Sequence, residues 1–363
     1  MKKKSFDIYL FIAVIIIGIF GIVMIYSASS IWANYKFHDE FKFVKSQSIF
    51  FLISIFLCLL FSKLPTSFWK KHANKFLFGT LIMLILVLIP GIGTVRNGSR
   101  SWFGFGGFGI QPSEFSKLAL IIFVSKYLSN NKKELRDIKK GVMPILMIIG
   151  LFFLLILLEP DFGTGMVIVL TLVSLIFVSG VKISFFVKIG LLGLMGIVAL
   201  IIVAPYRMAR IVSFLNPWTD PLGSGFQIIQ SLYAIGPGGL LGQGFLKSHQ
   251  KHFYLPEPQT DFIFAIISEE FGFLGVFIVS ALFLTIIYRG MKISLNAKDL
   301  FSKYLSFGIT FSLAFQALLN LMLVVSLIPI TGVTLPFLSY GGSSLLITLC
   351  SMGILLNISR FQK

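Results

Sequence analysis

Apolar blocks of about 20 residues recur along almost the whole of this chain, the length needed to cross the hydrocarbon core of a bilayer. Runs such as IYLFIAVIIIGIFGIVMIY (8–26) and ILMIIGLFFLLILL (145–158) have no polar face to turn toward water. In lipid every backbone polar group must be satisfied within the segment, so such blocks are helices. Hydropathy places ten of them, at about 6–29, 46–63, 74–90, 113–129, 141–158, 164–180, 182–203, 261–288, 304–328 and 336–358. The expected fold class is therefore an all-α polytopic membrane protein. It has about ten transmembrane helices and a long extracellular loop, 204–260, between helices 7 and 8. A hydrophobic content of 56% and a mean hydropathy of +0.93 leave no room for a separate soluble domain, so residues 1–363 read as one membrane domain.

A net charge of +17 raises the question of nucleic acid, but the distribution of charge answers it. The termini and alternate loops on one side hold 21 of the 31 Lys and Arg, against four acids, Asp7, Glu134, Asp137 and Asp299. The whole excess lies on that side, which is the positive-inside pattern. Both termini are expected in the cytoplasm and no nucleic-acid partner is expected. Lys2-Lys3-Lys4 before an apolar run resembles a signal peptide, but Ile8 to Tyr26 is too long for one, so an uncleaved first helix is expected. Cys58 and Cys350 fall inside apolar spans and read as packing residues.

The chemistry must then sit in the loops of the other side. The richest stretch is YLPEPQTDFIFAIISEEFGFLG, Tyr254 to Gly275, where a proline-bearing loop runs into Asp261 and two further acids, Glu269 and Glu270, interrupt an apolar run. Ionisable groups inside a membrane segment are functional candidates by default. The competing reading makes Asp261 a helix N-cap. In the second loop, Gly91 to Gln111, glycines permit tight turns; it leads to Pro112-Ser113-Glu114, a helix first turn, with Lys117 one turn on as the partner for Glu114. Asp161, in Glu159-Pro160-Asp161-Phe162-Gly163-Thr164, reads either as a cap or as a site carboxylate. The loop 204–260 carries Arg207, Arg210, Lys247 and Lys251, turn-forming Pro and Gly, and a candidate interfacial helix over Gln227 to Ala234. His249 and His252 stand three apart, a spacing too common to define a metal site. Ser339-Tyr340-Gly341-Gly342-Ser343-Ser344 places small and polar groups inside the last helix, where they permit close packing.

Taken together these blocks resemble the FtsW/RodA/SpoVE family, the SEDS glycosyltransferases of bacterial cell-wall assembly. The matching residues are Asn97-Gly98-Ser99-Arg100 with Trp102, Gln111-Pro112-Ser113-Glu114 with Lys117, and Pro160-Asp161-Phe162-Gly163-Thr164. They continue with Tyr206-Arg207, Arg210, Asn216-Pro217-Trp218, Leu255-Pro256-Glu257, Thr260-Asp261-Phe262-Ile263-Phe264, Glu269-Glu270 and the Ser339–Ser344 run. Pro90-Gly91-Ile92-Gly93 and Asn216-Pro217-Trp218 look more like the division and sporulation branch than the elongation branch. Many relatives carry a second arginine where this chain has Ser101.

The resemblance implies polymerisation of lipid II into glycan strands on the outer face of the bacterial cytoplasmic membrane. It also implies a class B penicillin-binding protein as transpeptidase partner, alongside other division or sporulation proteins. In that reaction a sugar hydroxyl attacks an anomeric carbon bearing a lipid pyrophosphate. Pyrophosphate leaves readily once its charge is held, so the requirement is one base and several cations. Asp261, at the family position, is the candidate base. Arg100, Lys117, Arg207 and Arg210 are candidate cations, and Glu114, Asp161 and Ser343 complete the expected substrate site. No cofactor is required by the sequence; a divalent cation, Mg or Mn, bridging Asp261 or Asp161 to pyrophosphate would fit. The alternatives are a lipid II flippase, which needs the groove and cations but no base, and a scaffold that recruits the transpeptidase.

Overall fold

The structure, a computed structural model, describes residues 6–96, 98–105, 108–203, 208 and 212–361. Every expected apolar segment is helical: α1 Ile8–Phe37, α2 Lys42–Phe61, α3 Thr66–Leu88, α4 Pro112–Asn130, α5 Met143–Leu158, α6 Phe162–Val178 and α7 Ile183–Val203. The long loop holds a short helix, α8 Phe226–Ile235, and the bundle ends with α9 Ile263–Leu295, α10 Leu300–Val324 and α11 Gly342–Ser359. Among the described residues seven helices are long and apolar enough to cross a membrane: α1, α2, α3, α5 with the π-helical turn before it, α9, α10 and α11. Helix α6 and the first part of α7 are apolar but shorter.

Helix α4 stands outside that set because it carries three charged residues, Glu114, Lys117 and Lys126, and it is largely enclosed by the other helices. Thirteen of its 19 residues are buried, Ser113, Glu114, Ser116, Lys117 and Ser125 among them. Helix α11 is enclosed in the same way, with 15 of 18 residues buried. Helix α2 packs along α11, α3 and α10 along α4, and α9 between α1 and α10. Gly353 on α11 lies directly against the backbone of Cys58 on α2, where a Cβ would overlap the Cys58 carbonyl oxygen. Small residues are what let membrane helices meet at backbone distance. On the outer helices large side chains face outward, Phe56 at 67% and Leu284 at 66% exposure, as lipid-facing positions should.

Two features depart from the expected pattern of helices and turns. The glycine-rich second loop is not turns alone but a three-stranded antiparallel sheet, β1 Thr94–Arg96, β2 Ser99–Phe105 and β3 Phe108–Ile110. Arg96 pairs with Ser99 and Phe105 with Phe108, so each connection spans two residues. The sequence carried a signal, since Asn-Gly and Gly-Gly are dipeptides that favour two-residue hairpins.

The second is a break in α9. Gly272 has φ 59° and ψ −155°, a conformation favoured by glycine alone. The carbonyls of Glu269 and Glu270 that the break releases accept from the N–H groups of Gln243 (2.9 Å) and Gly244 (3.0 Å). The N–H groups of Phe273 and Leu274 donate to the carbonyls of Gly239 (2.9 Å) and Leu240 (3.1 Å). The turn-rich end of the long loop thus replaces the helix's own ladder, which a broken membrane helix needs. Side chains anchor the same loop. Glu269 accepts from Ser248 Oγ (2.5 Å) and His249 N–H (2.7 Å), and Lys251 pairs with Glu270 at 2.9 Å.

Candidate functional site

A cavity of about 920 Å³ lies where these loops converge. One wall is Thr260-Asp261-Phe262 at the head of α9, another is Gln111 and Glu114 at the head of α4, and a third is Asp161 and Thr164 at the head of α6. The connection between α10 and α11 contributes residues 330–334 and 340–342, and Trp32, Phe43 and Phe50 add an aromatic side. Three expected site residues, Glu114, Asp161 and Asp261, are therefore brought to one space from segments up to about 150 residues apart in sequence.

Each carboxylate is held differently. Asp161 is the N-cap of α6, as its competing reading required: Oδ1 accepts from Thr164 N–H at 3.1 Å, while Oδ2 accepts from Gln111 Nε2 at 2.9 Å. Burial pushes its carboxyl above the ordinary range, the bonds from Thr164 oppose that, and the charge of Glu114 adds to it. Glu114 sits in the first turn of α4 and binds Lys117 Nζ at 2.8 Å. The pair is buried, and Lys117 also donates to Gln316 Oε1 at 2.7 Å, so its charge is committed below the cavity wall. Asp261 is not a cap. Helix α9 opens at Ile263 with Phe262 as N-cap and no side-chain cap bond.

The remaining expected residues lie around this space. Ser343 stands behind the wall, accepting from Gln111 N–H at 3.3 Å and donating to the Gly109 carbonyl at 3.4 Å, so it joins β3 and α4 to α11. Arg100, on β2, is not on the cavity wall; its Nη1 faces the Leu88 carbonyl at 3.5 Å. Arg207 and Arg210 lie outside the described residues. Among the described residues no Lys or Arg lines the cavity, and no three of His, Cys, Asp and Glu gather as a metal site made by the protein alone.

Sequence reading missed three neighbours. Gln316 and Asn320 on α10 are single amides in an apolar run, whose only signal is that polar groups inside a membrane helix need a reason. Glu159 is the third. Its side chain is fully buried, and neither carboxylate oxygen has a partner among the described residues. Burial first, and then the charge of Asp161, push its carboxyl from the ordinary 4.5 up to about 9. A raised carboxyl pKa means that the folded state holds a proton which the unfolded state releases. Stability is therefore greatest at low pH and is lost as pH rises from 4.5 to about 9. The slope cannot exceed about 1.4 kcal/mol per pH unit. Thermal unfolding of the purified protein against pH should show that decline. Glu159→Gln should flatten it, and an unchanged profile in that variant would assign the decline elsewhere.

A family model described as "cell cycle protein", FTSW_RODA_SPOVE, matches residues 7–363. The chain belongs to the FtsW/RodA/SpoVE family. This family member is 51% identical over 362 residues to stage V sporulation protein E of Bacillus subtilis (strain 168), an alignment covering 100% of the chain and 99% of that relative. It is 41% identical to a probable peptidoglycan glycosyltransferase FtsW of Geobacter sp. (strain M18), covering 99% of the chain and 98% of the relative. Among solved structures it resembles a chain from work on the structural coordination of polymerization and crosslinking by a peptidoglycan synthase complex. There the TM-score is 0.80 at 29% identity, over 99% of this chain and 98% of that one. The rod shape determining protein RodA of Thermus thermophilus aligns with a TM-score of 0.72 at 27% identity, over 99% of each chain. As a member of the family the chain is a multi-pass membrane protein, and the cavity is built from the blocks that carried the resemblance.

Proposed function

We propose that this protein is a peptidoglycan glycosyltransferase that polymerises lipid II into glycan strands at the outer face of the bacterial cytoplasmic membrane, in cell division or sporulation. Relatives bearing the names peptidoglycan glycosyltransferase and stage V sporulation protein support the reading. The observation that carries it is the meeting of Asp261, Asp161 and Glu114 in one large cavity at the heads of three helices. Asp261 accepts the proton of the attacking sugar hydroxyl as the new C–O bond forms at the anomeric carbon and the bond to the lipid pyrophosphate breaks. Asp161 is engaged by Thr164 and Gln111, and Glu114 by Lys117, while the base role goes to Asp261 because it stands at the family position and lines the cavity. Arg207 and Arg210 are the cations for the pyrophosphate, where Arg offers bidentate contacts. Asp261 and Asp161 suit a Mg or Mn ion held mostly through substrate phosphates, the usual manner of Mg²⁺, and such an ion would neutralise charge on the leaving group.

A class B penicillin-binding protein is the partner we assign, since polymer made here needs cross-linking, and other division or sporulation proteins would accompany it. Purified protein with that partner should convert lipid II to polymer. Translocation of lipid II in liposomes without polymer would instead favour the flippase reading. The charge asymmetry supports a cytoplasmic place for both termini. Lys132→Cys should therefore resist an impermeant thiol reagent in intact cells while Lys247→Cys reacts, both side chains being exposed, and the reverse pattern would invert the topology.

A further inference from the structure

Asp261 precedes the first residue of α9, and its segment is tied across the cavity wall by three successive carbonyls. Tyr340 N–H donates to the Gln259 carbonyl at 2.8 Å, Ser339 Oγ to the Thr260 carbonyl at 2.7 Å, and Asn320 Nδ2 to the Asp261 carbonyl at 2.7 Å. Asn320 is fully buried on α10, and the same amide nitrogen donates to the Val333 carbonyl at 2.8 Å. It therefore clips the Asp261 segment to the strand of wall facing it. Ser339 is held in turn, its Oγ accepting from Leu335 N–H at 2.8 Å. At Gly332 (φ +72°) a Cβ would lie 3.7 Å from Asp261 Oδ2, so the carboxylate sits over a wall position that carries no side chain. A general base must stand within hydrogen-bond reach of the proton it takes. A shift of about 1 Å can lower turnover about 100-fold.

We propose that Asn320, together with Ser339, is a positioning residue for this reaction, fixing the backbone at Thr260-Asp261 so that the Asp261 carboxylate is held over Gly332 and faces the cavity. The inference rests on the reading of Asp261 as the base. The test uses full-length protein with its partner and lipid II. Asn320→Leu, which removes the donor at similar volume, should lower kcat about 10–100-fold with lipid II KM changed by no more than about twofold. Ser339→Ala should lower kcat about 2–10-fold, the worth of one hydrogen bond, and Ser339→Thr, which keeps the hydroxyl, should restore most of it.

Added to Asp261→Asn, Asn320→Leu should cost little more, because residues acting as a unit are not additive. Unchanged kcat in Asn320→Leu and Ser339→Ala would overturn the proposal. So would kcat and KM failing together, or a full multiplicative loss on top of Asp261→Asn, either of which marks a structural role. If Asn320→Leu does not yield monodisperse protein, the Ser339→Ala and Ser339→Thr pair decides. A fully active Asp261→Asn would remove the base assignment itself, whereas an inactive Asp261→Asn beside a normal Asn320→Leu would remove only the positioning role.

Discussion

Asp261→Asn should lower lipid II polymerisation by about 10²–10⁴-fold, the usual worth of a general base, while leaving the protein folded. The structure strengthens this expectation by removing its competitor. A cap at the head of α9 would make Asp261 a structural residue, but Phe262 is the N-cap and makes no side-chain cap bond. The backbone contact that holds residue 261 runs from Asn320 to its carbonyl, which the substitution keeps. Expression, thermal unfolding and association with the partner should therefore stay close to wild type, within about 0.5 kcal/mol in stability. An amide of the same shape cannot take the hydroxyl proton at working pH. The measurement is turnover by purified Asp261→Asn at saturating lipid II. Near wild-type polymer formation would end the base assignment and bring the flippase reading forward.

The helical frame was legible because lipid imposes a single solution on an apolar block of about 20 residues. Most predicted boundaries lie within a few residues of those found, and the larger shifts fall at α1, α3, α9 and α11. Helix α1 runs on to Phe37 because Ser27, Ser29 and Ala33 are buried against neighbours, so hydropathy ended it too early. The start of α11 moved the other way, from 336 to Gly342, since the segment before it is not helical: Ser339 is held to the Thr260 carbonyl, and Tyr340 and Gly341 line the cavity. The local roles of Asp161 and Glu114 were readable through local rules, a cap and a first turn with a lysine at i+3. Asn320 was not, because its role depends on contacts 59 and 13 residues away in sequence. The break in α9 was hidden for a similar reason. Gly272 looks like an ordinary small residue until Gly239, Leu240, Gln243 and Gly244 arrive from the long loop to take up the released backbone groups.

Lys251→Met should be strongly destabilising, by about 3–5 kcal/mol, because it leaves a buried carboxylate without its countercharge. Glu269 and Glu270 read from sequence as acids inside an apolar run, and the Lys251 and Glu270 side chains are only 2% and 0% exposed. Glu270 Oε1 accepts from Lys251 Nζ at 2.9 Å and from Ser27 Oγ of α1 at 2.6 Å, so one oxygen joins the long loop, α9 and α1. With the lysine gone, Glu270 must ionise unpaired, take up a proton, or pull its helix toward water. Replacing both partners by neutral groups is a different case, since swapping a whole buried pair for well-packed neutral side chains is often nearly neutral. Lys251→Met with Glu270→Gln should therefore recover most of the stability lost in Lys251→Met alone. The same comparison reads on function, because the loop that Lys251 anchors reaches Asp261 ten residues later. Polymerisation should fall in the single variant and return in the double one. Thermal unfolding of the purified variants in detergent measures the first effect and lipid II turnover the second. A Lys251→Met protein with wild-type unfolding would mean that water reaches Glu270 in the folded state, and the anchoring role of the pair would fall with it.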